Sequence, residues 1–226
     1  MKTALAFVAA LGLAPMALGD LLYDNGGPDG TNGLSNFQGT LSGTPYDRML
    51  ADDFVLVQYS LLQGAAMSGV WYGGGGVGQT ASFRVGIMVD TGNGPDPNPG
   101  SWIYDGVVAL GNEMLTGNYY FSRPEVQYTM DLPDIALNGG ETYWVTIQPQ
   151  GTLDNFFQLT SAAGQGNIIG SQIYVSYPDL GSPMWTPGYP AQFTDYYDVT
   201  FQLYGVPAPG ALALLGLAGL LGRRRR

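Results

Sequence analysis

Apolar and polar residues alternate with period two along much of this chain, the mark of strands with one face buried. In residues 83–90 the odd positions Phe83, Val85, Ile87 and Val89 are apolar and face one way. Val126, Tyr128, Met130 and Leu132 repeat the pattern, as do Tyr143, Val145 and Ile147, and then Val199, Phe201 and Leu203. Further strands are predicted at residues 54–57, 62–72, 102–108, 119–122, 156–160 and 172–177. No stretch between the two ends sustains a helical period.

Clusters of Gly, Pro, Asn and Asp separate these runs, at residues 25–33, 73–78, 91–100, 138–140 and 178–190. Such residues accept turn geometry readily. About ten short strands spaced by turns predict an all-β fold: a two-sheet β-sandwich of jelly-roll type. An N-terminal signal helix and a short apolar C-terminal helix are expected to flank it. The 226 residues divide into a signal peptide (1–19), a sandwich domain (20–205) and a tail (206–226). No internal repeat points to a propeller or solenoid.

The two ends carry the most specific patterns. Lys2, the apolar run 4–13 and the small residues around Ala17 and Gly19 form a secretory signal, with cleavage expected before Asp20. At the other end, Val206, Pro207, Ala208 and Pro209 precede a small-residue aliphatic run. Arg223, Arg224, Arg225 and Arg226 close the chain. As a helix, residues 210–222 would reach about 20 Å at about 1.5 Å per residue, against a hydrocarbon core of about 30 Å. Such an anchor only just crosses, with the arginines reaching the head groups on the cytoplasmic side.

This tail resembles the PEP-CTERM sorting domain: a proline motif, a brief apolar helix and a terminal arginine cluster. The family pattern has Glu between its two prolines, where this chain has Ala208. The resemblance covers about the last 21 residues, 206–226. It implies processing near the prolines by a membrane protease of the exosortase kind, after transient anchoring in the inner membrane, and delivery to the cell surface or extracellular matrix. The body is similar to domains that commonly carry this tail, through Ala51-Asp52-Asp53-Phe54, Trp71, the loop after residues 83–90 and Glu141-Thr142-Tyr143-Trp144-Val145. That likeness implies fold and little chemistry.

Charge and composition narrow the function further. Five of the eight basic residues lie in the end segments, which leaves the body three arginines against all eighteen acids, a net of −15. So acidic a surface repels nucleic acid. Cysteine and histidine are both absent, which removes thiolate chemistry, the usual general base and the commonest transition-metal ligand. The expectation is a non-enzymatic protein, structural or adhesive, with signal peptidase and an exosortase-like protease as its processing partners.

Three other chemistries have candidate residues. Carboxylate catalysis, as in glycoside hydrolases, would draw on Asp52, Asp53, Glu113, Glu125 or Glu141, though no spacing selects a pair. No cofactor is expected apart from calcium, whose oxygen ligands could come from Asp24 and Asp29 in one loop or Asp90 and Asp96 in another. Neither loop fits an EF-hand, and Asx turns account for the same residues. Binding to extracellular polysaccharide would use exposed aromatics among Trp71, Tyr72, Trp102, Tyr104, Trp185 and Tyr189. Trp185 and Tyr189, in the Pro-rich segment 178–190, are the expected platform.

Overall fold

The computed structural model describes residues 19–41, 43–91, 99–152, 154–161, 173–178, 182–187 and 198–207. The fold is almost entirely β, in two sheets. One sheet contains β1 (Asp20–Asp24), β2 (Pro28–Ser35), β5 (Ser60–Trp71), β8 (Asn112–Tyr120), β9 (Arg123–Leu137), β11 (Phe156–Ser161), β14 (Asp198–Val199) and β15 (Phe201–Pro207). The other contains β3 (Phe37–Leu41), β4 (Thr44–Val55), β6 (Ser82–Asp90), β7 (Pro99–Ala109), β10 (Thr142–Thr152), β12 (Tyr174–Tyr177) and β13 (Ser182–Pro187). Among the described residues all strand pairings but one are antiparallel, the exception being β3 with β10. Among the described residues no helix is long and apolar enough to cross a membrane.

The core lies where the two alternating faces meet. Phe83, Val85 and Ile87 of β6 and Tyr143, Val145 and Ile147 of β10 come from one side. Met67 and Trp71 of β5, Val126, Tyr128 and Met130 of β9, and Phe201 and Leu203 of β15 come from the other. Trp71 and Tyr128 are both fully buried, and the indole N–H donates to the phenol oxygen at 2.8 Å. This bond satisfies polar atoms that would otherwise be costly to bury. Asn36 donates to Gln158 of β11 at 2.6 Å and to the Ile147 carbonyl of β10 at 2.7 Å, tying the two sheets together.

Several segments depart from the sequence pattern. Residues 25–33, expected as a turn, enter β2, which pairs with β11. Within the expected turn 178–190, Ser182–Pro187 forms β13 beside β12. Proline is admissible there because β13 ends the strand order and its unpaired side needs no ladder donors. The strand expected at 119–122 instead ends at Tyr120, and Phe121 and Ser122 form the turn between β8 and β9.

The ends of the body sit side by side. Asp20 of β1 pairs with Gly205 of β15, and β15 continues through Val206, opposite Leu61, to Pro207, opposite Ser60. The last strand therefore includes the first two residues of the expected tail. Ala17, Ala208, Pro209, Arg223, Arg224, Arg225 and Arg226 lie outside the described residues, as do both expected terminal helices.

Candidate functional site

A cleft of two neighbouring cavities, which share no lining residue, lies on the face of the first sheet that points away from the sandwich core. Strand alternation puts Ala66, Ser68, Val70 and Tyr72 on this face, opposite the core residues Ala65, Met67 and Trp71. Simple alternation predicts that such residues face water, yet Ala66, Ser68 and Val70 are buried. The sheet curls, so that the β8–β9 turn reaches β2 across the floor. A Cβ on Gly33 would lie 3.7 Å from the Phe121 ring and 3.1 Å from Phe157 Cβ, and one on Gly30 would lie 3.6 Å from the Tyr120 ring. Glycine at position 33 keeps this space open.

Two cavities follow one another along β5 and β9. The first, about 140 Å³, is polar, with Ser68, Thr116, Asn118, Glu125, Gln127 and Gln202 in its lining. Glu125 is only 2% exposed, and its Oε2 accepts hydrogen bonds from Thr116 Oγ1 at 2.6 Å and Asn118 Nδ2 at 2.9 Å. The second, about 230 Å³, is mostly apolar and is formed by Val70, Tyr72, Phe121, Phe157 and Arg123 with Asn32 and Gly33.

Arg123 organises the apolar end. Its guanidinium carbon lies 4.7 Å from the Tyr72 ring centroid, a cation–π contact. Its Nε donates to the Tyr72 carbonyl at 2.6 Å and its Nη1 to the Phe121 carbonyl at 2.9 Å. Tyr72 and Phe121 stay 59% and 47% exposed. The turn holding Phe121 is strained: φ is 52° at Phe121 and 61° at Ser122, in the left-handed region that favours Gly and Asn.

The other residues singled out from sequence are dispersed. Trp185 lies in β13 and is half-buried, its ring 6.3 Å from Trp102 and packed on a small cluster of Ala51, Met88, Trp144 and Tyr174. It stands on the second sheet, away from the cleft; Tyr189 lies outside the described residues. Asp24 accepts from the Gly26 N–H at 2.9 Å and Asp29 from the Thr31 N–H at 2.7 Å, both Asx turns. Asp90 accepts from Trp144 Nε1 at 3.2 Å, and Asp96 lies outside the described residues. Among the described residues no group of three acidic side chains is placed to hold a metal ion.

The carboxylates likewise do not gather in the cleft. Glu113 caps the Gly78 N–H, Glu141 accepts from the Tyr143 hydroxyl, and Asp52 and Asp53 are buried inside the protein. Asp52 accepts from Asn25 Nδ2 and the Val199 N–H, both at 2.8 Å. Burial, then the charges of Asp198 and Asp53, push its pKa well above the ordinary carboxyl range. Of the five candidates only Glu125 lines the cleft.

Phe121, Arg123 and Phe157 did not stand out in the sequence. They come together with Tyr72 from three separate stretches of chain. The available signals were an aromatic run, Tyr119-Tyr120-Phe121, ending at a hairpin, and Arg123 as one of only three basic residues in the body. No protein-family model matches the chain. No curated protein matches it either.

Proposed function

We propose that this chain is an exported, non-enzymatic surface protein. In this reading a jelly-roll-like sandwich is held at the membrane by its tail and sorted there by an exosortase-like protease. It then serves a structural or adhesive role at the cell surface or in an extracellular matrix. The jelly-roll reading is supported by a chain that passes repeatedly from one sheet to the other and whose first and last strands are neighbours.

The observation that carries the proposal is the placement of the ends relative to the cleft. The tail leaves directly from β15 at Pro207, opposite Ser60 at the start of β5. The aromatic end of the cleft lies past the other end of β5, some 12 residues away, or about 40 Å at about 3.3 Å per residue. A body tethered at Pro207 therefore presents its aromatic end away from the membrane. The hydrolase reading gains no such support, because glycosidases use a pair of carboxylates and Glu125 is alone in the cleft among the described residues.

The chain has no cysteine, so one introduced thiol reports position cleanly. Tyr119 is 70% exposed beside the distal turn. Tyr119→Cys should react with a membrane-impermeant maleimide on whole cells that contain the sorting protease, and stay unlabelled in cells that lack it. Labelling independent of the protease would contradict sorting, and no labelling in either strain would contradict surface display.

A further inference from the structure

We propose that the distal cleft binds a neutral polysaccharide chain. A sugar ring has an apolar C–H face and a rim of hydroxyls, so a site for it needs aromatic surface and polar groups within one ring or two of each other. The cleft offers both in sequence along β5: Tyr72, Phe121 and Phe157 at one end, Glu125, Asn118, Gln127 and Gln202 at the other.

Other occupants fit less well. An apolar peptide or acyl chain would make no hydrogen bond to the polar lining at the other end. A polyanion would face Glu125 and a body of three arginines against eighteen acids. A divalent cation would find a single carboxylate already engaged by Thr116 and Asn118. A neutral hydroxylated chain meets none of these penalties.

The aromatic end is also held in advance of binding. Arg123 fixes both Tyr72 and the β8–β9 turn through two backbone carbonyls, so little ordering remains to be lost when a ligand docks. Asn-Gly would make a two-residue turn of this kind without strain. The chain instead places Phe121 and Ser122 at positive φ, and the Phe121 ring reaches across toward Gly33 of β2. Strain retained at a position that builds one wall of a cleft points to a role for that wall.

This inference rests on the cleft and is independent of the tail, so either can fail alone. The test titrates the full chain, purified in detergent micelles, with four neutral hexasaccharides (cellohexaose, maltohexaose, xylohexaose and mannohexaose) and with polygalacturonate, by calorimetry. At least one neutral hexasaccharide should bind, and polygalacturonate should not. The double substitution Phe121→Asn, Ser122→Gly should keep or raise the melting temperature while weakening that binding by roughly tenfold or more. Tyr72→Ser provides a second reading of the same loss should the turn variant fail to fold. Failure of all four neutral sugars, preference for polygalacturonate, or unchanged affinity in a folded variant would each overturn the proposal.

Discussion

Asp52 is the residue whose environment most constrains behaviour in solution. It is fully buried, and burial acts with Asp198 and Asp53 to raise its pKa well above the ordinary value of 3.8. Hydrogen bonds from the Val199 and Asp53 N–H groups oppose the shift without cancelling it. In the window between 3.8 and the raised value the folded state binds more protons than the unfolded one, so stability falls as pH rises. The melting temperature should therefore climb as pH is lowered through the raised value toward 3.8, and Asp52→Asn should flatten that slope. Asp105 acts oppositely, because its bond to Arg84 lowers its pKa, and its contribution is lost only below its ordinary value of 3.8. Thermal melts from about pH 2 to 8 check both signs; a wild-type melting temperature that rises from about pH 4 toward pH 8 would contradict this view of Asp52.

At the scale of elements, packing against β5 sets the tolerance of the first sheet. Gly69 stands opposite Val126 of β9 and Gln158 of β11. A Cβ there would run into the Phe156 ring and lie 2.7 Å from the Phe157 carbonyl oxygen. Gly69→Ala should cost about 3 kcal/mol by overpacking, seen as a lower denaturation midpoint; an unchanged midpoint would mean that the sheet relaxes freely.

How much of each element could be read from sequence follows from its surroundings. In β9 and β10, and over Phe83–Ile87 in β6, one side packs on the opposing sheet, so alternation exposes them directly. Val89 continues the sequence pattern but is exposed near the end of its strand, while Met88 is buried in the small outer cluster with Trp144. β5 is buried on both faces where it passes under the curled hairpin, so alternation hides the cleft floor. β2 and β13 carry Pro, Gly and Ser that read as turn residues, and their strand state comes from pairing with β11 and β12, information held elsewhere in the chain. The site was legible only in fragments, Tyr72 as an aromatic and Glu125 as a carboxylate. Neither residue encodes the curl that joins them.

At the scale of the whole molecule, residues 20–205 are strongly acidic and their two ends lie side by side. Asp20 and Gly205 are paired, so the proposed signal before Asp20 and the proposed tail after Pro207 would depart from the same end of the sandwich. The arginines that would hold the tail on the cytoplasmic side are four of the eight basic residues in the chain. Removal of the tail would then free a body whose surface charge favours solubility outside the membrane.

Export with processing at both ends is most directly tested by the intact mass of the protein recovered from cells that contain the sorting protease. Mass should be compared between the wild type and a chain lacking residues 207–209. The predicted product begins at Asp20, has lost its arginine tail and is recovered outside the membrane fraction, while the deletion variant keeps its tail and stays membrane-bound. A wild-type product that still carries Arg223, Arg224, Arg225 and Arg226 and remains in the membrane would contradict sorting and leave a permanently anchored domain.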